Sequence, residues 1–123
     1  MNRLKIFIIS AFLFLSSFAC AQQDQLNSIT MEQFKERLKS DKDIIVLDVR
    51  TPEEVATGMI ENAINIPVQV LEKRVDELVN YKDKEIFVIC RTQNRSSAAA
   101  SFLKEKGYKA IYVIGGMSVY NQK

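Results

Sequence analysis

The sequence predicts an α/β domain, a mainly parallel sheet covered by helices on both faces. Two continuous aliphatic and β-branched runs, residues 44–49 and 85–89, read as strands buried on both sides. Helix-like segments with start and stop signals separate the strand-like ones, as parallel pairing requires. The 123 residues, 47% of them hydrophobic and 26% charged, match one ordinary globular domain.

The elements follow in order. Thr30 reads as an N-cap with Gln33 at the third helical position. Phe34 and Leu38 then form an apolar i, i+4 pair on a helix ending near Ser40. Residues 41–43 are a turn, and 44–49 the first buried strand. In Thr51-Pro52-Glu53-Glu54, Thr51 caps a short helix, Pro52 sits where its missing N–H costs nothing, and Glu54 closes a capping box. Gly58 stops that helix. Residues 63–66 form a short strand ended by Pro67. Residues 68–80 are amphipathic, with Leu71, Val75, Leu78 and Val79 on one side. Strand 85–89 leads to a helix over 96–106, which Ser96 or Ser97 can cap and Gly107 can end in the left-handed conformation. Residues 110–114 are the last strand, and Gly115-Gly116 turns the chain into a short terminal helix. Ligands of such sheets bind beyond the carboxyl ends of the strands, here just after Val49 and Ile89.

Residues 1–21 read as an export signal rather than part of the fold. Arg3 and Lys5 precede an apolar run from Ile6 to Phe18, followed by small residues at Ala19-Cys20-Ala21. The run is shorter than the roughly 20 residues of a spanning helix. Two cleavage patterns fit. One is small-x-small, with the mature chain starting at Gln22. The other is a loose lipobox, Ser17-Phe18-Ala19-Cys20, making Cys20 a candidate lipidation site and membrane tether. Residues 22–27 form a short polar linker and 28–123 the domain. The expected location is the periplasm or cell envelope of a bacterium.

Charge and composition exclude several classes. The net charge of +2 comes from Arg3 and Lys5; without them the 17 basic residues fall to 15, matching the 15 acidic ones. Long-range steering of nucleic acid or anionic lipid by net charge is not expected. There is no histidine, and there are two cysteines. That removes Cys–His hydrolase chemistry and leaves no metal-ligand set.

Cys90 ends a buried strand and opens the loop Cys90-Arg91-Thr92-Gln93-Asn94-Arg95, with Ser96 at the following helix start. An isolated free cysteine is most often a small core residue. Here, successive loop amides would form an anion-binding nest. The helix start adds its positive end, and Arg91 and Arg95 add two cations. All favour a thiolate, the species that attacks a sulfur–sulfur bond.

These residues resemble the single-domain rhodaneses, the thiosulfate sulfurtransferase-like domains. The resemblance covers nearly all of 28–121. It rests on residues 47–54 (Leu-Asp-Val-Arg-Thr-Pro-Glu-Glu), on 58–67, on the loop from Cys90 to Ser96, and on 107–116 with Tyr120. It implies a three-layer α/β/α fold around a five-stranded, mainly parallel sheet. It implies a persulfide on Cys90, with sulfur moving from thiosulfate or a related persulfide or polysulfide donor to a thiol or other thiophilic acceptor. Arg91 and Arg95 would contact the donor's oxyanion, with Thr92, Gln93, Asn94 and Ser96 completing the binding loop. Asp48 and Arg50 would support it from beside. No cofactor and no metal are implied. Met59 stands where the family usually has His, Asn62 where Gly is common, and Gln93 where many active loops have a Gly able to adopt positive φ. Thr51, Glu53 and Glu54 read as capping residues alone.

The alternative to an exported sulfurtransferase is a non-catalytic rhodanese-like binding or sulfur-relay module, with the same fold and a sluggish thiol. Phosphatase or arsenate reductase chemistry is disfavoured. Four residues separate Cys90 from Arg95 where, in the phosphatases of this fold, the resemblance implies five, and Ser96 cannot clamp phosphate as Arg does.

Overall fold

A computed structural model describes residues 25–122. The segment read as an export signal, with Cys20, and half of the expected linker (residues 22–24 of 22–27) lie outside these described residues. Five strands, β1 (Ser28–Ile29), β2 (Ile45–Asp48), β3 (Ile64–Asn65), β4 (Glu85–Ile89) and β5 (Lys109–Val113), form one sheet in the order β1-β5-β4-β2-β3. Every pairing is parallel. The helices are α1 (Met31–Ser40), α2 (Pro52–Val55), α3 (Leu71–Arg74), α4 (Asn94–Glu105) and α5 (Gly116–Tyr120).

Side chains along β4 alternate between two cores, as the period of two demands. Ile86, Val88 and then Cys90 face a core shared with Leu71, Leu78, Ala99, Ala100 and Leu103, beneath α3 and α4. Phe87 and Ile89 face the opposite core, with Phe34 of α1 and Met117 of α5. Both faces of the sheet are thus covered, giving three layers. Cys90, the residue after β4, therefore turns its side chain towards the layer from which α4 rises.

Both sequence-marked capping boxes form. Thr30 caps α1 with Gln33 reaching back, and Thr51 caps α2 with Glu54 doing the same. Four expectations are corrected. The resemblance implies five strands, but the element reading places only four; the fifth is the two-residue β1, which pairs at the sheet edge through Ser28–Tyr112 and Ile29–Val113, a partnership too short for any local pattern to announce. The segment 68–80 is not one helix but a single α turn, α3, between 3-10 segments at Val68–Val70 and Val75–Tyr81. Its apolar positions still bury Leu71 and Leu78. The helix after Cys90 starts two residues early, at Asn94, with Gln93 as N-cap and no side-chain cap. Ser96 instead lies inside the first turn, where its hydroxyl is used elsewhere. The last strand is displaced by one residue, to Lys109–Val113.

Candidate active site

β2 and β4 are adjacent at the centre of the sheet and end level, with Asp48 opposite Ile89. The Val49 N–H extends the ladder to the Ile89 carbonyl at 3.0 Å. Residues 48–50 and 90–96 therefore share the carboxyl end of the sheet.

Cys90 is buried, at 1% exposure. Two groups of Ser96 lie 3.4 Å from its Sγ: the backbone N–H, which donates to the sulfur, and the hydroxyl, which accepts from the thiol. The same hydroxyl donates to the Gln93 carbonyl at 3.1 Å. A hydroxyl can rotate from acceptor to donor, so Ser96 suits a neutral thiol or an anionic sulfur.

The short helix α5 holds the loop from outside. The Met117 N–H donates to the Cys90 carbonyl at 2.8 Å and the Ser118 N–H to the Arg91 carbonyl at 2.9 Å. All peptides here are trans, so each N–H points opposite its own carbonyl. Turning these two carbonyls towards α5 aims the N–H groups of Arg91 and Thr92 away from it. The N–H groups of Arg91, Thr92, Gln93, Asn94 and Arg95 donate to no acceptor among the described residues. Uncommitted amides beside a sulfur, at the start of a 12-residue helix, are the ingredients of an anion nest.

Gly116 permits this docking. A Cβ on it would lie 2.2 Å from the Thr92 carbonyl oxygen and 2.4 Å from that of Cys90. Its φ is also +56°, so glycine is required twice over. Gln93, expected to conflict with a glycine-like backbone, has φ −156° and needs no positive φ. Its side chain is a further tie: Oε1 accepts from the Gly115 N–H at 3.0 Å. Among the described residues the non-glycine residue with positive φ is Asn62, at 64°, a conformation that glycine adopts at no steric cost.

Asp48 and Arg50 are buried and paired. Asp48 accepts from the Arg50 backbone N–H at 3.0 Å, from Nε at 3.0 and 3.1 Å, and from Nη2 at 2.8 Å. Arg50 Nη2 also donates to the Gly58 carbonyl at 2.8 Å. Most of the bonding capacity of both side chains is used within the pair, which ties β2 to the end of α2. Asn65 completes the brace, its Nδ2 donating to the carbonyls of Asp48 and Arg50, each at 2.9 Å.

The two loop arginines differ. Arg91 is exposed and has no carboxylate partner among the described residues. It lines a cleft of about 490 Å³ with Arg50, Glu53, Glu54, Met117 and Ser118. Arg95 is clamped by Glu54 through two parallel bonds, Nη1–Oε1 at 2.6 Å and Nη2–Oε2 at 2.8 Å. Hydrogen bonding to Arg95 is the main reason the Glu54 carboxyl is held down at about 2. Glu54 is therefore more than a cap, contrary to its sequence reading: it spans from α2 to α4. Thr92 and Asn94 are exposed at the mouth. Among the described residues no cluster of His, Cys, Asp and Glu could hold a metal ion.

The rhodanese-like domain family matches residues 30–123. A sulfurtransferase of Allochromatium vinosum is 33% identical over 91 residues, covering 74% of this chain and 83% of the relative. A putative sulfurtransferase of Bacillus subtilis, YtwF, is 35% identical over 96 residues, covering 78% and 91%. Among solved structures, a rhodanese-related protein from Thermoplasma volcanium aligns with a TM-score of 0.70 at 38% identity, covering 76% of this chain and 89% of that one. A rhodanese-like domain protein from Staphylococcus aureus aligns at 0.74 and 31%, covering 80% and 94%. With nearly the whole described chain matched in sequence and in fold, the protein belongs to the rhodanese-like domain family.

Proposed function

We propose that this protein is a sulfurtransferase that carries sulfane sulfur as a persulfide on Cys90 and works outside the cytoplasm. The observation that carries the chemistry is the setting of Sγ: it takes a hydrogen bond from the Ser96 N–H, in a loop whose amides from Arg91 to Arg95 have no acceptor among the described residues. The sulfurtransferases among its relatives support the same reading. The basic region and apolar run of residues 1–21 support export, with Cys20 as the candidate lipid anchor.

In the first half-reaction the Cys90 thiolate attacks the sulfane sulfur of the donor. With thiosulfate, the new S–S bond forms as the old one breaks, and sulfite leaves with the electron pair. The persulfide anion then lies where the loop amides and the Ser96 hydroxyl can donate to it. In the second half-reaction an acceptor thiolate attacks the outer sulfur, and Cys90 departs as thiolate. No net oxidation occurs and no cofactor enters the balance.

Intact-mass spectrometry of the purified protein after thiosulfate or polysulfide treatment tests this. The expected result is a gain of one sulfur atom, absent in Cys90→Ser and reversed by an added thiol. A chain that stays unmodified with both donors would overturn the proposal and favour a binding module. The mature mass, read from the same spectrum of protein made with its first 21 residues, shows whether Cys20 bears lipid.

A further inference from the structure

Charge around the site is almost fully compensated. Three guanidinium groups, Arg50, Arg91 and Arg95, stand beside the loop or its cleft, and three carboxylates, Asp48, Glu53 and Glu54, stand with them. The Asp48–Arg50 pair is buried within the brace. The Glu54–Arg95 pair is different, because both side chains are 30% exposed and it draws together α2 and the active-site loop. Arg95 would otherwise offer its planar fork to an incoming oxyanion. Glu54 occupies that fork with two parallel bonds, at 2.6 and 2.8 Å.

Resting on the persulfide reading of Cys90, we infer that Glu54 is a specificity-determining residue for the sulfur donor: by holding Arg95 it disfavours dianionic donors such as thiosulfate and favours persulfides of low charge. A thiosulfate dianion must displace or sit beside the Glu54 carboxylate, and repulsion acts on both of its charges. A hydropersulfide with an uncharged tail presents one ionisable group. It delivers its outer sulfur to the Cys90 thiolate as its own S–S bond breaks, and the former partner leaves as a thiolate. Atoms, charge and proton balance without a further reactant. The transferred sulfur and its place on Cys90 are the same in either case, so the difference between donors lies in the mouth.

The chain supplies its own control for a substitution. Gln33 closes the capping box of α1 as Glu54 closes that of α2, so Glu54→Gln keeps the cap and removes the charge. Second-order rates of Cys90 persulfidation would be measured by quenched intact mass with thiosulfate and with the persulfide of 2-mercaptoethanol. Glu54→Gln is expected to raise the thiosulfate rate about tenfold while moving the organic persulfide rate less than about twofold. Glu53→Gln, which removes a neighbouring charge without touching Arg95, is expected to give a clearly smaller rise. Equal factors for the two donors, a fall with thiosulfate, or equal effects of the two substitutions would overturn the role of Glu54. A variant-free arm uses ionic strength. The wild-type thiosulfate rate should change less than about twofold between low and high salt, and a steep fall would show an uncompensated positive mouth, overturning the inference. Failure of the wild type to take sulfur from either donor would overturn the persulfide reading itself, and this inference with it.

Discussion

At the sulfur of Cys90 the polar neighbours are the N–H and hydroxyl of Ser96, whereas Arg95 is committed to Glu54 and Arg91 extends to solvent. Ser96 is fully buried and makes its contacts because it sits at the third position of α4, not at the cap the sequence suggested. Serine is favoured at caps, but here the chain enters the helix through Gln93, whose side-chain amide serves the neighbouring turn instead. Ser96→Ala keeps the N–H and removes the hydroxyl. It should slow alkylation of Cys90 by iodoacetamide at neutral pH about tenfold, the cost of one hydrogen bond to a charged group, and lower stability by about 1 kcal/mol. An unchanged alkylation rate would show that the hydroxyl does not support the anionic sulfur.

Among the elements, α5 has five residues and contributes little helix stability of its own. Its work is to dock on the loop through Met117, Ser118 and the side-chain-free Gly116. The Gly115-Gly116 doublet was legible as a turn, but nothing local tells that the second glycine lies against the carbonyls of Cys90 and Thr92. That contact joins positions far apart in the chain. Gly116→Ala should lower stability by about 3 kcal/mol, from steric overlap and an unfavourable positive φ. It should also reduce Cys90 persulfidation even where the variant remains folded, because the loop must shift to admit the methyl group. Denaturant unfolding and mass measurement on one sample would check both. A folded variant with wild-type persulfidation would mean that α5 only covers the loop.

In the whole molecule, the Glu54–Arg95 pair links the connection after β2 to that after β4, and its protonation couples to global stability. The Glu54 carboxyl falls from 4.5 to about 2 on folding, chiefly through hydrogen bonding to Arg95. A depressed carboxyl stabilises the fold above its unfolded value, and the contribution disappears as pH falls towards the folded value. Partial exposure limits it to about 1 kcal/mol. The stability difference between wild type and Glu54→Gln should therefore be constant above about pH 5 and vanish near pH 2. A pH-independent difference in denaturant midpoint would contradict the linkage. Acid should weaken the clasp between α2 and α4 before it reaches the buried apolar layers.

Local patterns were enough to place both capping boxes, the two central strands, the three-layer class and the position of Cys90 at the end of a buried strand, because each depends on residues within a few positions of one another. Tertiary structure decided the rest. The strand order sets β2 beside β4 and so brings Asp48, Arg50 and Glu54 to a loop some 40 residues later. The pairing of Arg95, the seating of Gly116 and the tie from Gln93 to Gly115 arise from that order. Hydrogen bonds and charge pairs between distant segments leave no periodic trace in a sequence; they exist once the sheet has fixed which strand ends are neighbours.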